Sequence, residues 1–110
     1  MSTLNLYDQA TAYSSKYTTL MYSSSFSSAI KLLHKDLRQP IFDIYGFVRF
    51  ADEIVDTFHE YNKEELFDLF EQDLENALNN KISLNPILNS FQHTVNTYEI
   101  PKDLITGKLR

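Results

Sequence analysis

The sequence predicts an all-α chain folded as an antiparallel helical bundle, and three observations predict it. Glycine and proline number only two and three among 110 residues, so there is little turn chemistry from which to build a many-stranded fold. Apolar residues recur at three- and four-residue intervals along most of the chain instead of alternating. Helix-start signals, Asn62 and Pro86 above all, stand where one periodic stretch ends and another begins. The length suits one domain.

Taken in order, Leu4, Tyr7, Tyr13, Tyr17, Leu20 and Met21 predict a first helix with an apolar face, diluted by Ser and Thr. A shorter second helix is expected from about Ser25 to Leu33, with Phe26, Ala29, Ile30 and Leu33 on one side. A third runs from Lys35 or Asp36 to about Phe58. Pro40 fits inside its first turn, where the missing amide has no helical partner to lose. The fourth starts after Asn62, the expected N-cap, with Glu65 three residues on as in a capping box. Leu66, Phe67, Leu69, Phe70, Leu74 and Leu78 form its apolar face, and Asn79 and Asn80 end it. A fifth begins at Pro86 and offers Ile87, Leu88, Phe91, Val95 and Tyr98 to the core. Pro101 opens a last short segment.

Hydrophobic residues at 43% and charged residues at 23% are an ordinary globular composition. The net charge of −5 comes with no Lys/Arg stripe to track phosphates, which excludes nucleic acid as a partner. The absence of cysteine excludes disulfides and thiolate ligands and fits a reducing compartment, so a cytoplasmic location is expected. The N-terminus lacks the basic-then-apolar layout of a secretory signal, and no apolar run is long enough to span a bilayer.

The chemistry concentrates in "YGFVRFADEIVD", residues 45–56. On a helical wheel Tyr45, Arg49, Asp52 and Asp56 fall at i, i+4, i+7 and i+11, in a stripe roughly 60° wide. Ile41, Ile44, Val48, Ala51 and Val55 flank it, and Phe47, Phe50, Ile54 and Phe58 lie opposite. A helix apolar over most of its circumference is normally surrounded by protein, so the row is expected to face a cavity within the bundle. Two carboxylates one turn apart in a partly dry cleft repel, and a divalent cation relieves that repulsion. Hard oxygen ligands suit Mg²⁺, which takes one or two carboxylates and completes its shell with water and phosphate oxygens. Arg49 can fork onto the same phosphate, with Tyr45 supplying a hydroxyl one turn further. The plain alternative is that Arg49 only pairs with Asp52 and Glu53 along a solvated helix face.

These residues carry a resemblance. The stretch "SSSFSSAIKLLHKDLRQPIFDIYGFVRFADEIVD" (23–56) resembles the N-terminal portion of the squalene/phytoene synthase family, the head-to-head prenyl transferases. It holds the Ser-x-Ser-Phe segment, the "KDLRQPI" helix start and the Tyr/Arg/Asp row in order, and "YEIPKDLI" (98–105) is similar to a further family segment. The resemblance implies an isoprenoid-synthase-type fold, with Asp52 and Asp56 holding Mg²⁺ against a prenyl diphosphate and Arg49 and Tyr45 beside that diphosphate. It implies that the hydroxyls of Ser23 and Ser25 line the same pocket and that Phe26 belongs to the wall beside the prenyl chain. The implied activity is condensation of two prenyl diphosphates, phytoene synthase being the preferred member, with peripheral membrane association through the apolar substrate or product and the oligomeric state left open.

The family's second aspartate-rich motif is not found. Glu64, Asp68 and Glu71 have helical spacing but lie opposite the fourth helix's apolar face and read as solvated. Residues 1–110 are therefore expected to be the N-terminal part of such an enzyme, inactive alone and leaving apolar faces of the third helix uncovered. The rival readings are a non-catalytic helical interaction module and a metal-dependent phosphohydrolase. His59, near a helix end, reads as a partner of the helix dipole, and His34 and His93 carry no chemistry.

Overall fold

Four helices begin where a side chain offers an acceptor to an amide that the helix itself leaves unpaired. Ser23 Oγ accepts from Phe26 N–H, His34 Nδ1 from Asp36 N–H, Asn62 Oδ1 from Glu65 N–H, and Asn85 Oδ1 from the N–H groups of Ile87 and Leu88. The computed structural model describes residues 3–106. In it these caps open α2 (Ser24–Ile30), α3 (Lys35–Asp56), α4 (Lys63–Asn80) and α5 (Pro86–Thr97), while α1 (Thr3–Tyr22) precedes them and α6 (Lys102–Thr106) follows. No strand occurs among the described residues.

The helix ends are as local as the starts. Lys81 ends α4 in the left-handed region, φ 59°. Glu99 does the same after α5, with Ile100 N–H reaching back to Val95 C=O in a Schellman-type closure that turns the chain toward Pro101. Arg38 closes α2 from outside: Nε donates to Leu33 C=O and Nη2 to Lys31 C=O, each at 3.1 Å.

The hub is α5. It packs against α1, α3 and α4, and its residues 87–92, 94 and 95 are all buried. Its apolar side, Ile87, Leu88, Phe91 and Val95, joins Phe47 and Ile54 of α3 and Phe70, Leu74, Ala77 and Leu78 of α4 in one core. Phe47 anchors that core, stacked on Phe91 with centroids 4.0 Å apart and on Phe70 at 5.6 Å. Its polar side, Asn89, Ser90 and Thr94, hydrogen-bonds to α1 and α3.

The first helix corrects the sequence reading. Leu4, Tyr13, Tyr17, Leu20 and Met21, expected in the core, are exposed, Met21 by 80%, while Thr11, Ser15 and Thr19 are buried. The physical reason is close approach. Ser15 meets α3 at Gly46, where a Cβ would lie 3.3 Å from Ser15 Oγ and 3.4 Å from its Cα. Only small side chains allow helices so near each other, and hydroxyls that bond back to their own helix bury at low cost, as Thr19 Oγ1 does to Ser15 C=O at 3.0 Å.

Three further expectations shift. The second helix stops at Ile30 and buries only Ser27 and Ile30, because residues 31–34 make the turn into α3. Pro40 sits at the sixth residue of α3, one turn deeper than expected, so the Asp36 carbonyl loses its i+4 partner. Tyr98 caps α5 and is exposed instead of entering the core.

Candidate active site

The row on α3 lies on an open face and not inside an enclosed chamber. Asp52 and Asp56 are exposed, and the Asp56 side chain is 65% accessible. The flank of α3 beside them is uncovered too, with Val48 and Val55 about half exposed. The expectation that apolar α3 surface would be left bare holds; the expectation that the row faces a cavity within the bundle does not, because no described helix covers that side.

Asp52 nevertheless stands at an apolar cleft. Ile44, Phe47, Val48, Ala51 and Val55 of α3 form one wall, with Phe67 of α4, Phe91 of α5, and Ile100, Leu104 and Ile105 beyond, around about 350 Å³. Asp52 is the one acidic residue of that lining. A carboxylate at the mouth of a greasy cleft suits a ligand with a charged head and an apolar tail.

Arg49 is held by two acids of its own helix. Its Nη2 lies 3.0 Å from Glu53 Oε1 and 3.9 Å from Asp56 Oδ2, with the Arg49 and Glu53 side chains only 24% and 17% accessible. The intrahelical pairing foreseen as the plain alternative is thus present, with Glu53 and Asp56 as partners and not Asp52. The guanidinium carbon also sits 5.2 Å above the ring of Tyr22, the last residue of α1. The Tyr22 hydroxyl titrates above its ordinary value, first because burial disfavours the phenolate and then because Glu53 lies beside it as a negative charge and hydrogen-bond partner.

The serine-rich junction between α1 and α2 comes to the same face. Phe26 stacks on Tyr45, centroids 5.0 Å apart and planes 25° from parallel. Ser23 is the N-cap of α2, its Oγ 3.1 Å from Phe26 N, and Ser27 Oγ donates to Ser23 C=O at 2.8 Å. Ser25 is exposed on the first turn of α2. The fold therefore joins Phe26 to Tyr45 and Arg49 to Asp56, whereas Ser23 is engaged as the cap of α2 and Ser25 is exposed beside it.

Two residues outside the expected set matter here. Tyr22 gave a signal, since it stands four residues before Phe26 and adjoins the serine run, but only the fold brings it under Arg49. Asp43 gave none. It is 3% exposed and accepts from Gln39 Nε2 and Thr94 Oγ1, each at 2.7 Å, and from Ser90 Oγ. Burial raises its pKa, opposed by those three hydrogen bonds and by the nearby charge of His93. It is a satisfied structural carboxyl and has no access to the row.

Among the described residues no group of three or more His, Cys, Asp or Glu side chains is arranged to hold a metal. Asp52 and Asp56, about 6 Å apart along the axis and open to solvent, fit Mg²⁺ as a two-carboxylate half-site completed by water and phosphate oxygens. Among the described residues no helix is long and apolar enough to cross a membrane. The family model described as squalene/phytoene synthase matches residues 21–109. No curated protein and no solved structure matches the chain.

Proposed function

The chain belongs to the squalene/phytoene synthase family, and on that premise we propose that α3 supplies one wall of a Mg²⁺-dependent site for a prenyl diphosphate, the substrate of a head-to-head prenyl transferase. The observation that carries this reading is the juxtaposition of the Asp52 carboxylate and the apolar cleft, with Arg49 one turn away. Asp52 and Asp56 would hold the metal, whose charge stabilises the leaving diphosphate. Arg49 binds a phosphate oxygen through its planar N–H fork, and Tyr45 donates its hydroxyl to the same group. Ser23 uses an oxygen lone pair in its cap, which leaves its O–H to donate to an anion, as does that of Ser25. Phe26, stacked on Tyr45, continues the apolar surface along which the isoprenoid chain lies.

Loss of diphosphate leaves an allylic carbocation, which must be kept from water. The cleft is open beside Val48 and Val55, so these residues alone do not shield it. We therefore assign the 110-residue chain diphosphate binding without coupling of two prenyl groups. Among family products we favour phytoene.

The test is thermal unfolding of the purified chain with Mg²⁺ and a non-hydrolysable prenyl diphosphate analogue, separately and together. Together they raise the melting temperature, by about 2.7 kcal/mol of stability at a hundredfold excess over Kd, and Asp52→Asn or Asp56→Asn abolishes the rise. An unchanged melting temperature refutes the binding site; in a parallel incubation with Mg²⁺ and a hydrolysable prenyl diphosphate, coupled product from this chain alone refutes the assignment of binding without turnover. Release of phosphate without coupling would favour a hydrolase.

A further inference from the structure

We propose that Tyr22 and Glu53 form a clasp that positions the Arg49 guanidinium for the diphosphate, making Tyr22 a positioning residue contributed by α1. The inference rests on the reading of α3 given above and extends it to a residue that no acid motif contains.

The clasp is visible as contacts on two sides of one cation. Below the guanidinium lies the Tyr22 ring, with Arg49 Cζ 5.2 Å from its centroid, within the range where the ring quadrupole attracts a cation. At one edge Glu53 Oε1 takes Nη2 at 3.0 Å. Tyr22 adjoins both members of this ion pair, since it lines one cleft with Glu53, whose negative charge acts on its hydroxyl. An ordinary i,i+4 pair on a helix needs no third element and contributes little; here a second helix ends under it.

The three distances and accessibilities differ in a way that matters for a phosphate site. Glu53, the close partner, is the shielded one, whereas Asp56, 3.9 Å from Nη2, is mostly solvated. That separation exceeds hydrogen-bonding range. Asp56 can therefore turn to a cation with little loss, while Glu53 and the ring keep Arg49 in place. Without the clasp, the long arginine side chain is free to fold onto the Asp56 carboxylate or swing into solvent. Arg49 Nε is buried and has no partner, so the clasp restrains the guanidinium through Nη2 and its face.

The test uses the purified 110-residue chain, with Mg²⁺ and inorganic pyrophosphate as the probe and the Arg49 Nε–Hε resonance as a second readout. Tyr22→Leu weakens pyrophosphate binding about fivefold, whereas Tyr22→Phe, which keeps the ring, changes it about twofold or less. In an Arg49→Ala background Tyr22→Leu has no further effect, because the coupling runs through Arg49. Tyr22→Leu and Tyr22→Phe leave the melting temperature of their own background unchanged, as expected for a half-exposed side chain. Equal weakening with and without Arg49, or none at all, overturns the proposal. If the unaltered chain binds no pyrophosphate, the diphosphate reading of α3 fails and the positioning role with it. The resonance separates the two failures, since Tyr22→Leu broadens or shifts it where the clasp exists and leaves it unchanged where it does not.

Discussion

The two sides of α3 handle acid in opposite ways. On the side toward α1 and α5, Asp43 is buried with three donors on its two oxygens. On the other side, two and more turns on, Asp52 and Asp56 are exposed, and Asp56 meets Arg49 across 3.9 Å. A carboxylate taken out of water must be satisfied by fixed partners, and that satisfaction uses up its capacity to bind anything else. One left at the surface costs the fold nothing and keeps that capacity. The comparison separates a structural acid from a candidate ligand on geometry alone.

The same contrast runs through α5, whose apolar side fills a core with Phe47, Phe70 and Leu74 while its polar side enters a hydrogen-bonded layer with Thr11, Asp8 and Asp43. The apolar side should respond to volume. Leu74, 1% exposed, when cut to alanine should cost about 3 kcal/mol of unfolding free energy, measured by urea denaturation. A loss well under half of that would mean that the core relaxes into the gap.

The polar layer should respond to partnering instead. Asp43→Ala leaves the donors of Gln39, Ser90 and Thr94 facing a void and should cost about 2 kcal/mol. The pH dependence sharpens this. Burial raises the Asp43 pKa, so the folded state holds that proton more tightly than the unfolded chain does. Its contribution to stability is fully present below the ordinary carboxylate range and is lost as pH rises through the folded pKa. The stability of Asp43→Asn relative to the unaltered protein should therefore improve as pH rises above the ordinary carboxylate range, about pH 4, and level off above the folded pKa; a flat difference would show that the three hydrogen bonds offset burial completely.

A smaller effect of opposite sign is expected at Ser15. Its Oγ is buried with no partner, against Gly46, and Ser15→Ala should stabilise the chain by about 0.5–1 kcal/mol through a better helix former and one less unsatisfied group. The smallest effect belongs to the row. Asp52→Asn should change stability by less than about 0.5 kcal/mol, while abolishing the thermal response to Mg²⁺ with a diphosphate. A large loss of stability would make Asp52 structural and erase its difference from Asp43.

Much of this was legible beforehand. The Asn62 cap, the start of α5 at Pro86, the ends of α4, the apolar sides of α4 and α5 apart from Leu69 and Tyr98, which are half exposed, and the spacing of Tyr45, Arg49, Asp52 and Asp56 all follow from residues within a turn or two of each other. The row's surroundings were read less well, because an apolar circumference shows what a helix can bury and not which of its neighbours are there. On α1 the rule that large apolar residues go inside pointed to the wrong face. Back-bonded hydroxyls such as Thr19, and the glycine facing Ser15, made the small polar face the one that packs.

The sequence by itself determined that this chain is helical, where most of its helices start and stop, and that two acids stand one turn apart beside an arginine, because caps, periodicity and pitch are local properties. Only the tertiary structure decided that Asp43 is sealed and Asp52 open, that α1 turns its tyrosines outward, and that Tyr22 lies beneath Arg49. Those outcomes depend on which helices approach and how closely, and side chains tens of residues apart in the chain set that distance.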